Sequence, residues 1–157
     1  MTIEQRLSEI GLALPDPPVP VGNYIPASRT GDLVFTSGQT ARLNGVRRYV
    51  GVVGRDVTPE GAYLSARDST LNCLACVKAV VDDLERVTRI VKMVGFVNSA
   101  PGYHRLNEIV DGASDLLRAL FGERGVHARS VVANGSLPSN VSVEIELIVE
   151  IASVTPL

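Results

Sequence analysis

The sequence predicts an α+β protein in which a mixed β-sheet carries two long helices on one face. Residues 141–151 alternate almost strictly between apolar and mostly polar side chains, the pattern of a strand with one buried face. Two further segments, one after Thr58 and one after Pro101, repeat apolar residues at helical spacing. Residues 90–97 are apolar on nearly both faces, which is typical of a strand that is covered on both sides.

The N-terminal region is predicted to form a short helix and an extended arm. Thr2 and Gln5 have the spacing of a capping box, and Gly11 is expected to end the helix. Ile3, Leu7 and Ile10 form its apolar stripe. Residues 14–22 are too rich in proline for a helix or an internal strand. We expect a single domain over residues 1–157, with residues 1–21 forming the helix and the arm.

Two short strands and a long helix are predicted next. Residues 33–37 form a short β run between glycine-containing turns, and residues 49–53 form a second, weaker strand. Thr58 has the properties of a helix N-cap, because Pro59 occupies the first helical position. The helix is expected to extend to about Asp82.

The C-terminal half adds a strand, a helix and a final pair of strands. The helix after Pro101 is predicted to end at Gly122. Residues 128–133 and 141–151 are predicted to form a hairpin across the turn-rich segment 134–140. The helices cover only one face of such a sheet, so we expect the other face to be covered in a closed homo-oligomer.

The predicted hairpin places Arg129 opposite Glu144 if it is centred near Ser136 and Leu137. A guanidinium beside a carboxylate on a sheet is either a structural ion pair or part of a site for a small carboxylate substrate. Both interpretations stay open from the residues alone. The alternative partner of Arg129 is Glu146, and the alternative role of Glu144 is that of a solvated strand residue.

The composition excludes several classes of protein. The formal net charge is −2 and aromatic residues make up 4% of the chain, so neither a phosphate-binding surface nor a base-stacking platform is expected. No apolar run has the roughly 18 residues of a membrane span, and the first residues lack the apolar core of a signal peptide, so a cytoplasmic protein is expected. Cys73 and Cys76 lie within a helical pattern and are interpreted as small buried residues, not as metal ligands or a redox pair.

Six short motifs, in order over residues 22–151, resemble those of one family. They are Gly22-Asn-Tyr24, Thr36-Ser-Gly-Gln39, Gly95-Phe-Val97, Ala128-Arg-Ser130, Leu137-Pro138 and Val143-Glu-Ile-Glu146. Together they resemble the reactive intermediate/imine deaminase family, also called the YjgF family, and the added N-terminal helix and arm suggest a longer subgroup. The resemblance implies a chorismate-mutase-like fold, a homotrimer with a cleft at each subunit interface, and hydrolysis of reactive imines or enamines.

The same resemblance assigns roles to particular residues. Arg129 resembles the arginine that binds the substrate carboxylate, and Glu144 resembles the residue that holds the attacking water. Tyr24 and Ser37 resemble residues that line the cleft. His127 stands where many members have proline, and it shares a strand face with Arg129. We therefore expect His127 either to contact the substrate or to form a hydrogen bond at the subunit interface.

Two functions are compatible with these residues. In the first, the chain is an enzyme that hydrolyses small carboxylate-bearing imines or enamines to a keto acid and ammonia, without a metal or an organic cofactor. In the second, it is a non-catalytic trimer that binds a carboxylate metabolite as a sensor or partner protein. Ribonuclease activity is disfavoured by the acidic balance and by the lack of a basic patch.

Overall fold

The computed structural model describes residues 1–153, and these form three α-helices, a six-stranded sheet and a separate two-stranded hairpin. The elements in chain order are α1 (Ile3–Glu9), β1 (Ala27–Thr30), β2 (Leu33–Thr36), β3 (Gln39–Thr40), β4 (Arg42–Leu43), β5 (Val46–Arg47), α2 (Pro59–Val81), β6 (Val87–Asn98), α3 (Leu106–Phe121), β7 (Ala128–Asn134) and β8 (Val143–Ile151). Within the described residues, no helix is both long and apolar enough to span a bilayer.

The helices begin where their capping residues predict. Thr2 and Gln5 form the reciprocal capping box of α1, and the Thr58 hydroxyl accepts a hydrogen bond from the Gly61 amide at the start of α2. Helices α2 and α3 pack closely at Gly112, where an added Cβ would lie 2.1 Å from the Tyr63 carbonyl oxygen. Only glycine permits this approach of α3 to α2.

The sheet is mixed, and α2 and α3 cover one of its faces, as the sequence predicts. The strand order is β1-β2-β8-β6-β7, with β3 pairing to β8 beyond β2. Strands β6 and β7 are parallel, whereas β8 runs antiparallel to both β2 and β6. Every second residue of β8 from Val143 to Ile151 is buried against the helices. We call this side of the sheet the helix face and the other side the open face.

The predicted hairpin between the last two strands is wrong. Strand β6 lies between β7 and β8, because α3 is the crossover of a parallel β6–α3–β7 unit. The segment after β7 then crosses the end of β6. Asn98, the last residue of β6, donates its side-chain amide to Asn140 Oδ1 and to the Val141 carbonyl as the chain passes. The segment thus spans two strand spacings, whereas a hairpin loop spans only one.

The predicted strand at 49–53 is also wrong. These residues make only isolated bridges, which join Val50 to Val141 and Val53 to Val57 and Ser99. The hairpin of this region lies earlier, where β4 and β5 enclose Asn44 and Gly45. The strand expected over 33–37 is confirmed as β2, and its partner β1 was not predicted.

Candidate functional site

Glu144 lies on the open face, as the second residue of β8. Its Cα partners are Phe96 on β6 and Thr40 on β3. The carboxyl group is half-buried, and burial raises its pKa above the usual value, with a smaller contribution from the negative charge of Glu146 two residues along the strand. Glu144 is thus a carboxyl group with a perturbed pKa, which is a common property of residues in functional sites.

A β-bulge places the backbone of Gly38 directly beside this carboxylate. Phe35 pairs with Ile148 and Gln39 pairs with Ile145, so four residue steps on one strand oppose three on the other. The extra residue falls at Ser37–Gly38, and a Cβ at Gly38 would lie 1.8 Å from Glu144 Oε1. Bulges of this kind bend a strand and reorient side chains next to active sites.

A pocket of about 240 Å³ opens beside Glu144. It is enclosed by the proline-rich arm, strand β3, the β4–β5 hairpin and the loop before β8. Its lining residues are Pro18, Val19, Val21, Tyr24, Gly38, Gln39, Thr40, Arg42, Arg47, Pro138, Ser139, Val141 and Glu144. We call it the Glu144 pocket. The arm therefore forms one wall of the pocket, and Glu144 and Tyr24 face the same space.

Arg42 and Arg47 contribute two cationic groups to the Glu144 pocket that the sequence analysis did not assign to a site. Both lie on the β4–β5 hairpin, whose turn is formed by Asn44 at φ 50° and Gly45 at φ 79°. An Asn-Gly pair between short strands is the strongest local signal of a two-residue hairpin. Reading that signal would have placed the two arginines side by side.

Arg129 lies on the helix face, whereas Glu144 lies on the open face. The Cα of Arg129 pairs with Met93, a core residue. Its guanidinium donates to Asp111 Oδ1 at 2.7 Å, to Ser114 Oγ at 2.9 Å and to Asn107 Oδ1 at 3.1 Å, all on α3. Arg129 thus pairs with neither Glu144 nor Glu146 as the sequence suggested.

His127 belongs to the same cluster of α3 contacts. Its Nδ1 lies 2.6 Å from the Gly125 carbonyl oxygen, and its Nε2 lies 3.1 Å from Ser114 Oγ. Burial lowers the pKa of His127, and the nearby Arg129 charge lowers it further, although the Gly125 contact acts in the opposite direction. The Gly125 carbonyl can only accept, so this contact requires the proton on Nδ1, and a neutral ring would then accept the Ser114 hydroxyl proton at Nε2.

The residues expected in the site therefore divide into two groups. Tyr24 and Glu144 line one pocket, and Ser37 adjoins it through Gly38. The Ser37 hydroxyl lies outside the lining and accepts a hydrogen bond from Gln39 Nε2 at 2.8 Å. Arg129 and His127 lie together on the opposite face of the sheet.

The two cysteines occupy the core between α2 and the sheet. Burial raises the pKa of Cys73 and raises that of Cys76 to about 11, so both thiols are protonated at neutral pH. Cys73 Sγ lies 3.2 Å from the Ile145 carbonyl oxygen. Across residues 1–153, no group of three or more His, Cys, Asp or Glu side chains is placed to hold a metal ion.

Comparison with known proteins agrees with this fold. The chain is similar to the Agrobacterium tumefaciens protein Atu1372, of unknown function, with 42% identity, 96% of this chain and 92% of that chain covered, and a TM-score of 0.90. It is similar to a putative endoribonuclease from Shewanella oneidensis MR-1, with 36% identity, coverage of 96% and 100%, and a TM-score of 0.93. The structure of E. coli TdcF with bound serine shares 26% identity, with coverage of 87% and 94% and a TM-score of 0.61.

The family assignment covers nearly all of the described chain. Residues 4–151 match the family described as "YjgF/chorismate_mutase-like, putative endoribonuclease". The helix-covered mixed sheet, the Ser37–Gly38 bulge and the strand that carries Glu144 all lie within the matched region. The chain belongs to the YjgF/chorismate-mutase-like family.

Proposed function

We propose that the chain hydrolyses small imines or enamines that carry a carboxylate, and that the Glu144 pocket is its active site. The observation that carries this proposal is the half-buried Glu144 carboxylate, set against Gly38 in a pocket that also contains two arginines and a tyrosine. Burial raises the pKa of Glu144, and a carboxylate of raised pKa is a stronger base toward a bound water. Cationic groups in the same pocket favour an anionic substrate.

The proposed reaction needs only positioning and proton transfer. Glu144 orients a water molecule toward the electrophilic imine carbon and accepts a proton as the new carbon–oxygen bond forms. With a protonated imine this gives a carbinolamine. The protonated carboxyl returns its proton to the nitrogen, Glu144 takes the proton of the new hydroxyl as the carbon–nitrogen bond breaks and the carbonyl forms, and ammonia and a keto acid leave. Tyr24, on the arm, is proposed to contact the substrate. Ser37 is proposed to contribute as part of the bulge that sets Gly38 beside Glu144 and its bound water.

The test is ammonia release from an imine generated in situ by a threonine dehydratase. Glu144→Gln preserves the size of the side chain and removes its charge, so turnover should fall by roughly 10²–10⁴-fold. Glu150→Gln is the matched control, because Glu150 is an exposed carboxylate on the same strand outside the pocket. Equal rates for wild type and Glu144→Gln would exclude the proposed role of Glu144.

A second candidate function is binding without turnover. It is favoured by the serine bound to E. coli TdcF, because a related fold there holds an amino acid. In this case the chain would be a sensor or partner protein for a carboxylate metabolite. Saturable binding of a keto acid, measured by calorimetry, together with no acceleration of ammonia release would support this alternative.

The open face is proposed to be buried in a homotrimer. Proteins of this family are typically homo-oligomeric. Phe35 and Val132 are 39% and 45% exposed on the open face, and Phe96 and Ile148 are only partly covered there. Apolar side chains on one sheet face favour burial against another subunit. Light scattering at micromolar concentration should give three times the monomer mass, and a stable monomer would contradict the proposal.

Arg129 and His127 lie away from the Glu144 pocket of their own copy of the chain. The family resemblance gives Arg129 to the substrate carboxylate, yet here its guanidinium contacts α3. It lies on the strand at the edge of the sheet, so it could reach a Glu144 pocket only in another copy of the chain. The contribution of these two residues to substrate binding stays a prediction.

A further inference from the structure

The β4–β5 hairpin holds two arginines in a cross-strand pair. Arg42 and Arg47 are direct Cα partners, so their side chains leave the same face of the hairpin. The turn residues Asn44 and Gly45 both have positive φ, which fixes the register of this pair. Like charges placed directly opposite each other destabilise a strand pair. The arrangement therefore has a cost that the hairpin itself does not offset.

No acidic side chain of the described part of the chain neutralises this pair. Arg48, the next residue, forms an ion pair with Asp68 at 2.9 Å, whereas neither Arg42 nor Arg47 makes a side-chain hydrogen bond or an ion pair with any residue from 1 to 153. Each guanidinium has five N–H donors available. Both groups line the Glu144 pocket. Their donors are thus available to a ligand that enters it.

The hairpin is anchored firmly to the body of the protein. Asn72 on α2 is 2% exposed, and its side-chain amide donates to the Thr40 and Arg42 carbonyls at 3.0 and 2.9 Å. The Arg48 amide donates to the Ala41 carbonyl at 2.9 Å. These contacts fix the backbone of Arg42 relative to β3, and therefore relative to Glu144, whose Cα partner is Thr40. The backbone of a site fixed in this way needs no ordering when a ligand binds, so only the arginine side chains lose conformational entropy.

We propose that Arg42 and Arg47 form the anion-binding wall of the Glu144 pocket and select dicarboxylates over monocarboxylates. One carboxylate engages one guanidinium through a planar pair of hydrogen bonds, which leaves the second guanidinium for a second carboxylate. The inference rests on the proposed function for its substrate class, namely imines derived from amino dicarboxylic acids. It adds a carboxylate contact from the hairpin and makes no assignment for Arg129, whose role the variants below test.

The first experiment measures binding by isothermal titration calorimetry with two stable probes, 2-oxoglutarate and 2-oxobutanoate. Wild-type protein should bind 2-oxoglutarate at least about tenfold more tightly, because each charge-assisted contact contributes that much or more. Arg42→Gln and Arg47→Gln should each raise the Kd for 2-oxoglutarate by roughly 10- to 100-fold. The double variant should lose the preference between the probes.

Two further variants serve as comparisons. Arg118→Gln removes an exposed arginine of α3 that lies outside the pocket, so its affinities should match those of wild type. Arg129→Gln tests the carboxylate contact that the family resemblance gives to Arg129, and whatever its affinities, this variant should keep the preference for 2-oxoglutarate. Circular dichroism should show that the hairpin variants retain the fold, because Arg42 and Arg47 make no side-chain hydrogen bond or ion pair with residues 1–153.

Several outcomes would overturn the inference. Wild-type protein that binds neither probe at millimolar concentration, or hairpin variants that bind as wild type does, would each do so. Loss of binding only in Arg129→Gln would transfer the carboxylate contact to that residue. Failure of the proposed function can be distinguished from failure of this inference. A wild-type protein that binds 2-oxoglutarate through the hairpin but never releases ammonia from an imine would support the anion-binding wall and refute the hydrolase.

Discussion

Replacing Gly38 by alanine tests whether the position of the Glu144 carboxylate controls activity. The new Cβ would lie 1.8 Å from Glu144 Oε1, 2.7 Å from Cδ and 2.9 Å from Cγ. Real Cβ atoms essentially never approach other heavy atoms below 3.0 Å, so the oxygen must move by about 1.2 Å (3.0 minus 1.8 Å). A displacement of roughly 1 Å in a catalytic group costs about 10²-fold in rate. We expect kcat in the coupled ammonia assay to fall by about that factor.

The Gly38→Ala protein should stay folded, because Gly38 does not adopt a positive φ and the clash involves the end of a flexible side chain. Gly135→Ala is the matched control. A Cβ at Gly135 meets nothing within 4 Å, and its φ is not positive either. Its kcat should equal that of wild type. If Gly38→Ala folds normally and turns over at the wild-type rate, the reasoning that links the bulge to catalysis is refuted.

Three more outcomes follow from the charges around the site. Arg129→Ala should lower stability by about 1 kcal/mol, seen as a Tm lower by roughly 2–4 °C, because the guanidinium contacts α3 and Asp111 is half-exposed. An unchanged Tm would contradict a stabilising role for these contacts, and turnover lost at an unchanged Tm would support a contact with the substrate. Glu146→Gln removes a charge that raises the pKa of Glu144, so the acid limb of the pH–rate profile should move to lower pH. An unmoved limb would argue against titration of Glu144 in that limb. Because the pKa of Glu144 is raised in the folded state, ionisation of this group opposes folding as the pH rises above its unfolded-state pKa. Glu144→Gln should therefore have a higher Tm than wild type at pH 8, with a smaller gain at pH 5. A lower Tm at pH 8 would contradict this sign.

Local signals in the sequence were sufficient for the helices and for the central strands. The Thr58-Pro59 start of α2, the Thr2 capping box and the alternation along β8 depend on residues within a few positions of each other. The family motifs added the chorismate-mutase-like assignment to the α+β fold that the periodicity predicts, since they span most of the sheet. Such features can be read from sequence because propensity, capping and burial all favour the same structure.

The neighbours of the last strands could not be predicted in the same way. Whether β7 pairs with β8 or with β6 depends on the α3 crossover and on the Asn98 contacts, which join residues about 40 positions apart. Once that pairing changed, the arithmetic that placed Arg129 opposite Glu144 lost its basis. The face on which a residue lies follows from its register with a strand that sequence alone does not identify.

The lining of the Glu144 pocket could be predicted only in part, and the roles of its residues stay predictions. Glu144 and Tyr24 share a pocket, as the resemblance implies. Arg42 and Arg47 were not assigned to a site, because their proximity depends on a turn that was not interpreted from the sequence. The Asn44-Gly45 pair was the available signal. It predicts a hairpin that pairs Arg42 with Arg47, but it does not indicate that the two arginines line a pocket.

The β4–β5 hairpin belongs to a sheet of its own, outside the six strands that pack against the helices. Leu43 and Val46 at its tip are 48% and 66% exposed, so the core does not depend on their packing. The part of the chain that would choose the ligand is therefore separable from the part that keeps the protein folded. Exchanging residues 42–47 between relatives should be a practical route to altered substrate choice, because such a graft leaves the bulge, Glu144 and the stability of the scaffold in place.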